Sequence, residues 1–492
     1  MLDNDLYKAR LNKLEELRKN DIEPFPTNYN KTHCATQAVE ELTKIEKSDS
    51  TDQAKTQSIS IAGRITRFRK MGGTTFIDLK DQSGHIQLIF RRNFLESSYQ
   101  HVRLLDVGDW LGAVGPVFRT KTGEATVEVH EWQILSKAIR PLPEKWHGLT
   151  DIELRYRQRY LDLISNQQSL DIALLRSKTI KLLRQKMDSL GFTEVETPVL
   201  VPIPAGASAT PFVTHHNALN RDLYLRIATE LYLKRIIVGG IEKVYEIGKV
   251  FRNEGLDFYH NPEFTMMESY QAFADYEQVM TMVEFLVHDL ALSLTGNSKF
   301  EFESNTIDLT PPWKRVDLRE AIKSSSGIDY LDHLEIESLS EQMKQKGLDT
   351  GVQTTWAGLM DKLISLVIEP NLIQPTFLVN YPVAMSPLAK KSPQNPLIAE
   401  RFEGFIGGME ICNAFSELND PIDQRIRLEQ QESLRSKFKN AELDRLDEDF
   451  IVALEHGMPP TGGLGLGIDR LIMIFSSQRS IREVVLFPQL KS

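Results

Sequence analysis

Apolar positions in the first third of the chain follow two different periods. Residues 6–19 repeat at helical spacing among mixed charges and stop before Pro24 and Pro26, which predicts an N-terminal helix. In residues 58–139 apolar and polar residues alternate, as in ISIAGRITRF, GTTFIDLKD and GHIQLIF, with glycine-containing turns between the runs. About five short antiparallel strands over this length predict a small β-barrel of the OB type.

The remainder of the chain mixes long helical stretches with separate strands. The stretch LLRSKTIKLLRQKMDSLG predicts a helix that ends at Gly191. Later strand-like pieces are separated by loops or helices without a regular βαβ alternation, which favours an α+β fold with a mainly antiparallel sheet. The predicted organisation is an N-terminal helix and connecting segment in 1–57, the barrel in 58–139, a proline-containing linker in 140–150, and the α+β domain in 151–492 with a helical insertion near 319–373.

Composition and charge narrow the classes of function. The two cysteines, Cys34 and Cys412, have no Cys or His at metal-ligand spacing, so neither a disulfide framework nor a zinc site is expected, and a reducing cytoplasmic setting fits best. The charged start and the absence of a long apolar run predict neither export nor membrane insertion. The net charge of −10 argues against a protein that coats polyanions generally. Residues 61–92 differ, with seven Lys or Arg against two Asp.

Common nucleotide-binding and hydrolase motifs are missing. The glycine-rich stretch GGLGLGIDR at 462–470 does not match GxGxxG, because Ile468 or Arg470 stands where the last glycine is needed. No GxxxxGK[ST], HExxH or GxSxG occurs. A bound nucleotide must therefore be held in another way.

The segment 251–270 concentrates polar chemistry in one predicted hairpin. Arg252 and Glu254 follow one strand, His260 lies in the loop, and Glu268 is on the returning strand. This arrangement can place cations, an aromatic ring and carboxylates around one cleft. A solvated hairpin with ordinary surface charges is the alternative.

Three glutamates recur on an otherwise apolar strand pattern in 402–420. Glu403, Glu410 and Glu417 would be costly to bury unless they bind cations, such as Mg²⁺ or an ammonium group of a substrate. Alternatively, all three glutamates are solvent-exposed. Their odd spacing of seven allows Glu403 and Glu417 on one face of a strand and Glu410 on the other.

The third informative segment is GGLGLGIDRLIMIF. Its glycines permit close backbone approach before a helix that begins near Ile468 and carries Arg470 in its first turn. Arg470 would then be a fixed cation beside a flat backbone surface. The glycines could instead let a buried helix pack tightly against a strand.

Together these segments resemble a known family. GFTEVETPVL, FRNEGLDFYHNPEFTMMESY and GGLGLGIDRLIMIF are similar to motifs 1, 2 and 3 of class II aminoacyl-tRNA synthetases, in that order and after an OB-like domain. RYRQRYLDL, PAGASATPF, HNPEFT and EICNAFSELNDP resemble the bacterial lysyl-tRNA synthetase family. This resemblance covers nearly the whole chain. It implies an enzyme that activates lysine with ATP to lysyl-adenylate and transfers the lysine to the 3′ end of tRNA(Lys) in translation.

The resemblance also implies the lysine site. A pocket with several carboxylates suits a cationic amino acid and repels aspartate, which independently favours lysine. By similarity, Glu417 and Tyr270 hold the ε-ammonium, Glu230 and the backbone of Gly206 hold the α-amino group, and Arg252 holds the carboxylate. The implied lysine-binding residues are Gly206, Glu230, Arg252, Glu268, Tyr270, Asn413, Phe415 and Glu417.

For ATP, the resemblance implies an adenine stacked between Phe264 and Arg470, an arrangement that suits an aromatic ring and a guanidinium. Arg252 and Arg470 are the implied catalytic residues, which stabilise charge without a general base. The family uses up to three Mg²⁺ ions per subunit. The implied ATP contacts are Arg252, Glu254, His260, Phe264, Glu403 and Arg470, and the implied metal ligands are Glu403 and Glu410.

In the barrel, aromatic residues among basic ones fit a surface on which unpaired bases stack. The residues concerned are Phe68, Phe76, Arg64, Arg67 and Arg69, although Phe76 could instead belong to the barrel core. By similarity, Phe76, Gln87 and Glu131 contact the anticodon. The family further implies a cytoplasmic homodimer, with no membrane or DNA partner.

Two alternatives are compatible with the same segments. An aspartyl- or asparaginyl-tRNA synthetase is disfavoured by the acidic pocket and by HNPEFT. A related module that binds lysine or RNA, or that modifies a protein lysine, is disfavoured by the barrel and by the intact Arg252, Glu403, Glu410 and Arg470.

Overall fold

The computed structural model describes residues 5–48, 54–143, 149–438 and 445–491. By its internal contacts the chain divides into two compact units, residues 1–148 and 149–492, and each is described by itself. Within the described ranges, no helix combines the length and the apolar character that a membrane crossing needs. The predicted linker at 140–150 lies partly outside the described residues.

The first unit is a β-barrel with helices. Its helices are α1 (Asp5–Lys19), α2 (Ala35–Ser48) and α3 (Arg92–Leu95), with a 3₁₀ turn at Glu96–Leu104. Its strands are β1 (Lys55–Met71), β2 (Thr74–Lys80), β3 (His85–Arg91), β4 (Trp110–Arg119), β5 (Ala125–Glu128) and β6 (Glu131–Ser136).

Closure of the barrel depends on the long strand β1. The strand order is β1-β2-β3-β5-β4-β6, and β1 also pairs with β4, which closes the strands from β1 to β4 in this order into a ring with β6 beside β4. A register shift between Ile65 and Arg67 marks the bend that lets β1 serve both partners. Alternate residues such as Ile77, Leu79 and Leu88 fill the interior.

Two features of this unit differ from the sequence prediction. Residues 1–57 were expected to hold one helix, but α2 is a second helix that buries Ala38 and Leu42 against the barrel. Its polar composition hides the helical period because small alanines supply much of its buried face. The barrel also has six strands rather than about five, since EATVEVHEWQIL is divided between β5 and β6.

The second unit combines a large sheet with helices. Its helices are α4 (Ile152–Arg157), α5 (Arg159–Ser165), α6 (Gln167–Ser189), α7 (Glu230–Val238), α8 (Tyr276–Thr295), α9 (Leu318–Ser326), α10 (Ile336–Gln345), α11 (Trp356–Val367), α12 (Pro421–Phe438), α13 (Glu448–Glu455), α14 (Ile468–Phe475) and α15 (Ile481–Val484). Its strands are β7 (Thr193–Glu194), β8 (Leu200–Val201), β9 (Val213–His216), β10 (Arg221–Leu225), β11 (Lys243–Phe251), β12 (Glu263–Ala272), β13 (Lys299–Phe302), β14 (Asn305–Asp308), β15 (Lys314–Asp317), β16 (Thr376–Val379), β17 (Arg401–Ile406), β18 (Met409–Ser416) and β19 (Thr461–Gly467).

Eight strands form the main sheet, in the order β15-β16-β17-β18-β19-β12-β11-β7. All neighbours are antiparallel except β15 with β16 and β11 with β7. This mainly antiparallel sheet with flanking helices confirms the predicted α+β class.

Helices pack on both faces of this sheet, and on the second face α7, with α13 against it, covers only the part near β11 and β12. Helices α6, α8 and α14 pack together with the central strands around a core that includes Met267, Leu466 and Ile472. Helix α8 begins with a capping box at Asp275 and ends before Gly296, whose φ is 75°. The helices α9 to α11 share a separate apolar cluster with strand β16 and Phe405. The opposite face of the central strands carries the polar residues singled out by the sequence.

Candidate active site

Strand register brings the predicted site residues into two adjacent rows. One row runs Glu268, Gly465, Asn413 and Glu403 across β12, β19, β18 and β17. The second row, two residues away on each strand and therefore on the same face, consists of Tyr270, Gly463, Phe415 and Arg401. Residues as far apart in the sequence as Glu268 and Gly465 thus line one patch of sheet.

The glycines of β19 form the floor between these rows. Gly463 has no room for a side chain, because a Cβ atom there would lie 1.8 Å from the Oε1 atom of Glu417 and 2.7 Å from the ring of Tyr270. The glycine therefore lets a carboxylate and a phenol lie directly against the strand. This is the close backbone approach predicted from the sequence.

A cavity of about 400 Å³ opens over this part of the sheet. Its walls include four of the predicted lysine-binding residues, Gly206, Glu230, Asn413 and Phe415. Gly206 has a φ of 91°, and its α-carbon faces the side chain of Glu230. The remaining walls come from the 384–388 loop and from residues of the helical insertion and of α12.

Three buried carboxylates lie together at this site. Glu230, Glu268 and Glu417 are 6%, 4% and 1% exposed. Glu268 accepts a hydrogen bond from the backbone amide of Thr229 at 2.9 Å and one from the Tyr270 hydroxyl at 3.3 Å. Such a concentration of buried acid is stable only when cations or donors face it.

Burial and mutual repulsion perturb these carboxyl groups. Burial raises the pKa of Glu268 to about 7; the Thr229 amide opposes the shift and the neighbouring Glu230 adds to it. Burial likewise raises the pKa of Glu417 well above its usual value, against the effect of the Lys234 ammonium. Perturbed carboxyl groups in a cavity are typical of functional sites, and a bound ammonium would favour their ionised forms.

Two basic residues that the sequence analysis did not select belong to this site. Lys234 is fully buried, 2.5 Å from Glu230, and forms a second ion pair with Glu417. Arg401 donates to Asn413 at 3.2 Å and to Glu403 at 2.6 Å. The signals were available, because Lys234 follows Glu230 at the i+4 spacing of a helix and Arg401 precedes Glu403 by two positions of a strand.

Arg252 lies just beyond the end of β11, where the motif 2 loop begins. Its guanidinium stacks on the ring of Phe264, 5.2 Å from the ring centre. Burial lowers the pKa of Arg252, and the neighbouring Glu254 opposes that shift. Among the described residues, none accepts a hydrogen bond from its Nε atom. The side chain is therefore half-buried, oriented and able to bind an anion.

A second group of predicted residues surrounds Arg470. Its guanidinium donates to the backbone oxygen of Glu410 at 2.7 Å, pairs with the Glu410 carboxylate at 3.0 Å, and contacts the His260 ring at 3.1 Å. His260 is also 2.7 Å from Asp257. Glu254 is exposed. These side chains form an accessible polar rim suited to a phosphate-bearing ligand.

Glu403 and Glu410 are the predicted metal ligands. Burial raises the pKa of Glu403 to about 7, with Arg401 opposing and Glu410 adding to the shift. Tyr381 donates to Glu403 at 2.7 Å. The two carboxylates repel each other and lie beside the polar rim around Arg470. This arrangement fits Mg²⁺, which needs only one or two carboxylates when phosphates supply other ligands. In the described part of the chain, no group of three or more acidic, histidine or cysteine residues forms a metal cluster.

The alternative placement of the three glutamates on a solvent-exposed surface is wrong for two of them. The side chain of Glu417 is fully buried and that of Glu403 is 15% exposed, whereas Glu410 is 36% exposed. A register shift after Gly404 changes the pairing, so simple alternation does not predict which face Glu410 takes.

In the first unit, Phe76 and Gln87 project from neighbouring strands. Phe76 is half-buried and opposite Arg69 of β1, and Gln87 accepts from the Thr126 hydroxyl at 3.1 Å. Glu131 is exposed at the start of β6, which pairs with β4 rather than with β2 or β3. Phe68 is half-buried and packs against the barrel core, and its suggested stacking role stays a prediction.

Arg64 is also engaged within the first unit. It donates to the backbone oxygen of Gly108 at 2.8 Å and lies over the ring of Trp110. The basic surface next to Phe76 is therefore formed by Arg67 and Arg69, which are exposed and only loosely paired with Asp78.

Comparison with known families agrees with this geometry. Residues 59–135 match the model described as "OB-fold nucleic acid binding domain". Residues 151–491 match the model "tRNA synthetases class II (D, K and N)". Together these matches cover most of the chain, including every strand of the main sheet.

Three proteins that are similar over nearly their whole length are named lysine–tRNA ligase. The protein from Dehalococcoides mccartyi strain 195 is 49% identical over 487 residues, which span 99% of this chain and 97% of that protein. The protein from Pelotomaculum thermopropionicum is 48% identical, spanning 99% and 95%. That from Bacillus subtilis strain 168 is 46% identical, spanning 99% and 97%. The resemblance inferred from the motifs is confirmed, and this chain belongs to the class II tRNA synthetases of the D, K and N group.

Proposed function

We propose that this chain is a lysine–tRNA ligase, which activates lysine with ATP and transfers it to tRNA(Lys). The observation that carries the choice of amino acid is the group of three buried carboxylates, Glu230, Glu268 and Glu417, beside one cavity. An aspartate side chain there would add a fourth buried negative charge, which is expensive. The names of the similar proteins support the same substrate.

The substrate lysine would lie along the floor of β19. Its ε-ammonium would face Glu417 and Tyr270, and its α-amino group would face Glu230 and the backbone of Gly206. Asn413 and Phe415 would flank the aliphatic part. The carboxylate would bind to Arg252, whose buried Nε atom donates no hydrogen bond to the residues that the structure describes.

ATP would occupy the polar rim next to Arg252. Phe264 and Arg470 would bracket the adenine, Glu254 would accept from its exocyclic amine, and His260 would contact the outer phosphates. Glu403 and Glu410 would hold Mg²⁺, which supplies charge neutralisation for the phosphates when bound. Arg470 forms an ion pair with Glu410. This ion pair would keep the adenine-binding guanidinium next to the metal-binding carboxylate.

The first reaction is an in-line displacement at phosphorus. A lysine carboxylate oxygen bonds to the α-phosphorus, the bond to the β-phosphate oxygen breaks, and pyrophosphate leaves with the electron pair. No general base is needed because the carboxylate is already ionised. Arg252 orients the nucleophile, and Arg252 and Arg470 stabilise the negative charge that develops on the phosphate oxygens. The products are lysyl-adenylate and pyrophosphate.

In the second reaction a terminal ribose hydroxyl of tRNA attacks the activated carbonyl. The new ester bond forms, AMP leaves, and the hydroxyl proton is released. The barrel would bind the anticodon through Phe76, Gln87 and Glu131, with Arg67 and Arg69 near the RNA backbone. Stacking on an aromatic ring and contacts from a basic surface are the usual means of binding unpaired bases.

We further propose a cytoplasmic homodimer. Motif 1 in this family packs across a two-fold axis, and exposed apolar residues at this motif, Val199 and Leu200, are 42% and 45% exposed. Pairing with a second copy would cover them. The cytoplasmic location follows from a role in translation. Sedimentation of the intact chain should give twice the mass of 56.2 kDa.

Transfer to tRNA tests the complete proposal. Radiolabelled lysine, ATP and Mg²⁺ should yield acid-precipitable label only with tRNA(Lys). The same tRNA with its terminal ribose diol cleaved by periodate is the control and should accept no lysine. Label that appears in protein instead of tRNA would assign the chain to protein modification. If radiolabelled aspartate is transferred to tRNA and radiolabelled lysine is not, the choice of amino acid is overturned.

A further inference from the structure

Lys234 is a buried cation that the proposed reaction does not use. It lies on α7, is fully buried, and its ammonium bridges Glu230 at 2.5 Å and Glu417. The rings of Phe415 and Phe450 are 5.5 and 5.8 Å from it. A buried ammonium is retained only where opposite charge surrounds it. This one connects the two carboxylates proposed to receive different amino groups of the substrate.

The bridge occupies one oxygen of each carboxylate. Lys234 pairs with Oε1 of Glu230 and with Oε2 of Glu417. The Oε2 atom of Glu230 lies on the side of Gly206, at the cavity wall. The Oε1 atom of Glu417 lies against Gly463 and accepts no hydrogen bond from the residues that the structure describes. One oxygen of each carboxylate thus remains for a ligand.

The charges around the bridge also match the substrate. Glu230, Glu268 and Glu417 contribute three negative charges when ionised, and Lys234 contributes one positive charge. The net value of minus two equals the charge needed to neutralise the two ammonium groups of lysine. Arg401 is paired with Glu403 and leaves this balance unchanged.

We propose that Lys234 is a positioning and specificity-determining residue, a fixed internal ammonium that orients Glu230 and Glu417 and sets the pocket charge to match a diamine substrate. This inference rests on the proposed ligation of lysine. Lys234 stays in place when lysine binds, and the substrate ammonium groups take the remaining oxygens.

The electrostatics of the bridge agree with this role. Burial lowers the pKa of Lys234, but Glu230 and Glu417 outweigh burial and raise it above its usual value. The Lys234 ammonium in turn opposes the upward shifts that burial causes in Glu230 and Glu417. Without Lys234 these carboxyl groups would take up protons, and lysine would then have to displace them in order to bind.

The test compares neutral and charged replacements of Lys234 in the intact chain. Lys234→Met removes the charge and keeps the length, Lys234→Gln is a second neutral variant, and Lys234→Arg restores a cation. Lys323→Met is the control, because Lys323 is also ion-paired on a helix but is exposed. Lysine and ATP dependence of pyrophosphate exchange give KM and kcat separately, and thermal melting monitors folding.

We expect the neutral variants to raise the KM for lysine by about tenfold or more, with the KM for ATP and kcat within about twofold of the parent. Lys234→Arg should recover part of the lysine affinity. Calorimetry of lysine binding in two buffers of different ionisation enthalpy should show more protons released by Lys234→Met than by the parent. Raising the pH should therefore lower the KM of Lys234→Met for lysine more than that of the parent.

Several outcomes would overturn the proposal. An unchanged or lower KM for lysine in the neutral variants would mean that Lys234 is irrelevant to the substrate or competes with it. Equal losses for lysine and ATP, or failure of both neutral variants to fold while Lys234→Arg folds, would make its role purely structural. If the parent exchanges pyrophosphate with another amino acid, the proposed function fails instead, which the parent protein alone reveals.

Discussion

The substitution Glu417→Gln isolates the carboxylate proposed to receive the ε-ammonium. The side chain is 1% exposed, so the substrate ammonium would lose its water on binding and gain no opposite charge at this position. Removing one partner of a buried charge pair costs roughly 2 to 5 kcal/mol. Glu230 and Glu268 remain nearby and offset part of the loss, so we expect about 2 to 4 kcal/mol. That corresponds to a decrease of about 30- to 700-fold in kcat/KM for lysine.

The assay is lysine-dependent exchange of pyrophosphate into ATP. Glu277→Gln is the matched control, because Glu277 is an exposed glutamate on α8 and should leave the kinetics unchanged. The KM for ATP should stay near that of the parent, and thermal melting should show that both variants are folded. A decrease in kcat/KM for lysine of less than about threefold in Glu417→Gln would refute the reasoning, because the loss of one partner of a buried charge pair has a large free-energy cost.

Three further outcomes follow from the structure. Gly463→Ala should raise the KM for lysine about tenfold or more and leave the KM for ATP unchanged, because its Cβ atom would displace Glu417; equal effects on both substrates would contradict this. Kinetics against pH should show kcat/KM for lysine falling as the pH is lowered through about 7, where Glu268 becomes protonated and neutral; a flat profile there would count against an ionised Glu268. Phe76→Ala should raise the KM for tRNA about 5- to 100-fold through lost stacking, with pyrophosphate exchange unaffected. An unchanged affinity for tRNA in a filter-binding assay would contradict the stacking role of Phe76.

Alternation of apolar residues was enough to predict the barrel, and the lack of a regular βαβ order was enough to predict the α+β class of the second unit. The period of two in residues 58–139 reflects a barrel wall that is apolar on the inside only. Helix α2 was not predicted, because alanines such as Ala38 bury little surface and polar residues dominate its composition. The division of one predicted strand into β5 and β6 was not predicted either, because both pieces keep the same alternation across a short break.

For the site, the types of residue were predictable and their connections were not. The glycines of β19 and the run of glutamates pointed to close approach and buried charge. Which carboxylate faces which ammonium depends on strand register, on the shift after Gly404, and on Lys234, whose helix is far from β18 in sequence. The charge balance of the pocket follows from two residues of α7, one of β12 and one just after β18, and no local pattern encodes it.

The central claim is that this synthetase selects lysine through buried carboxylates. Exchange of pyrophosphate into ATP by the intact chain, measured separately with lysine, aspartate and asparagine, tests it most directly. The account predicts exchange with lysine and none above background with the other two. Exchange that depends on aspartate or asparagine, with none from lysine, would contradict it.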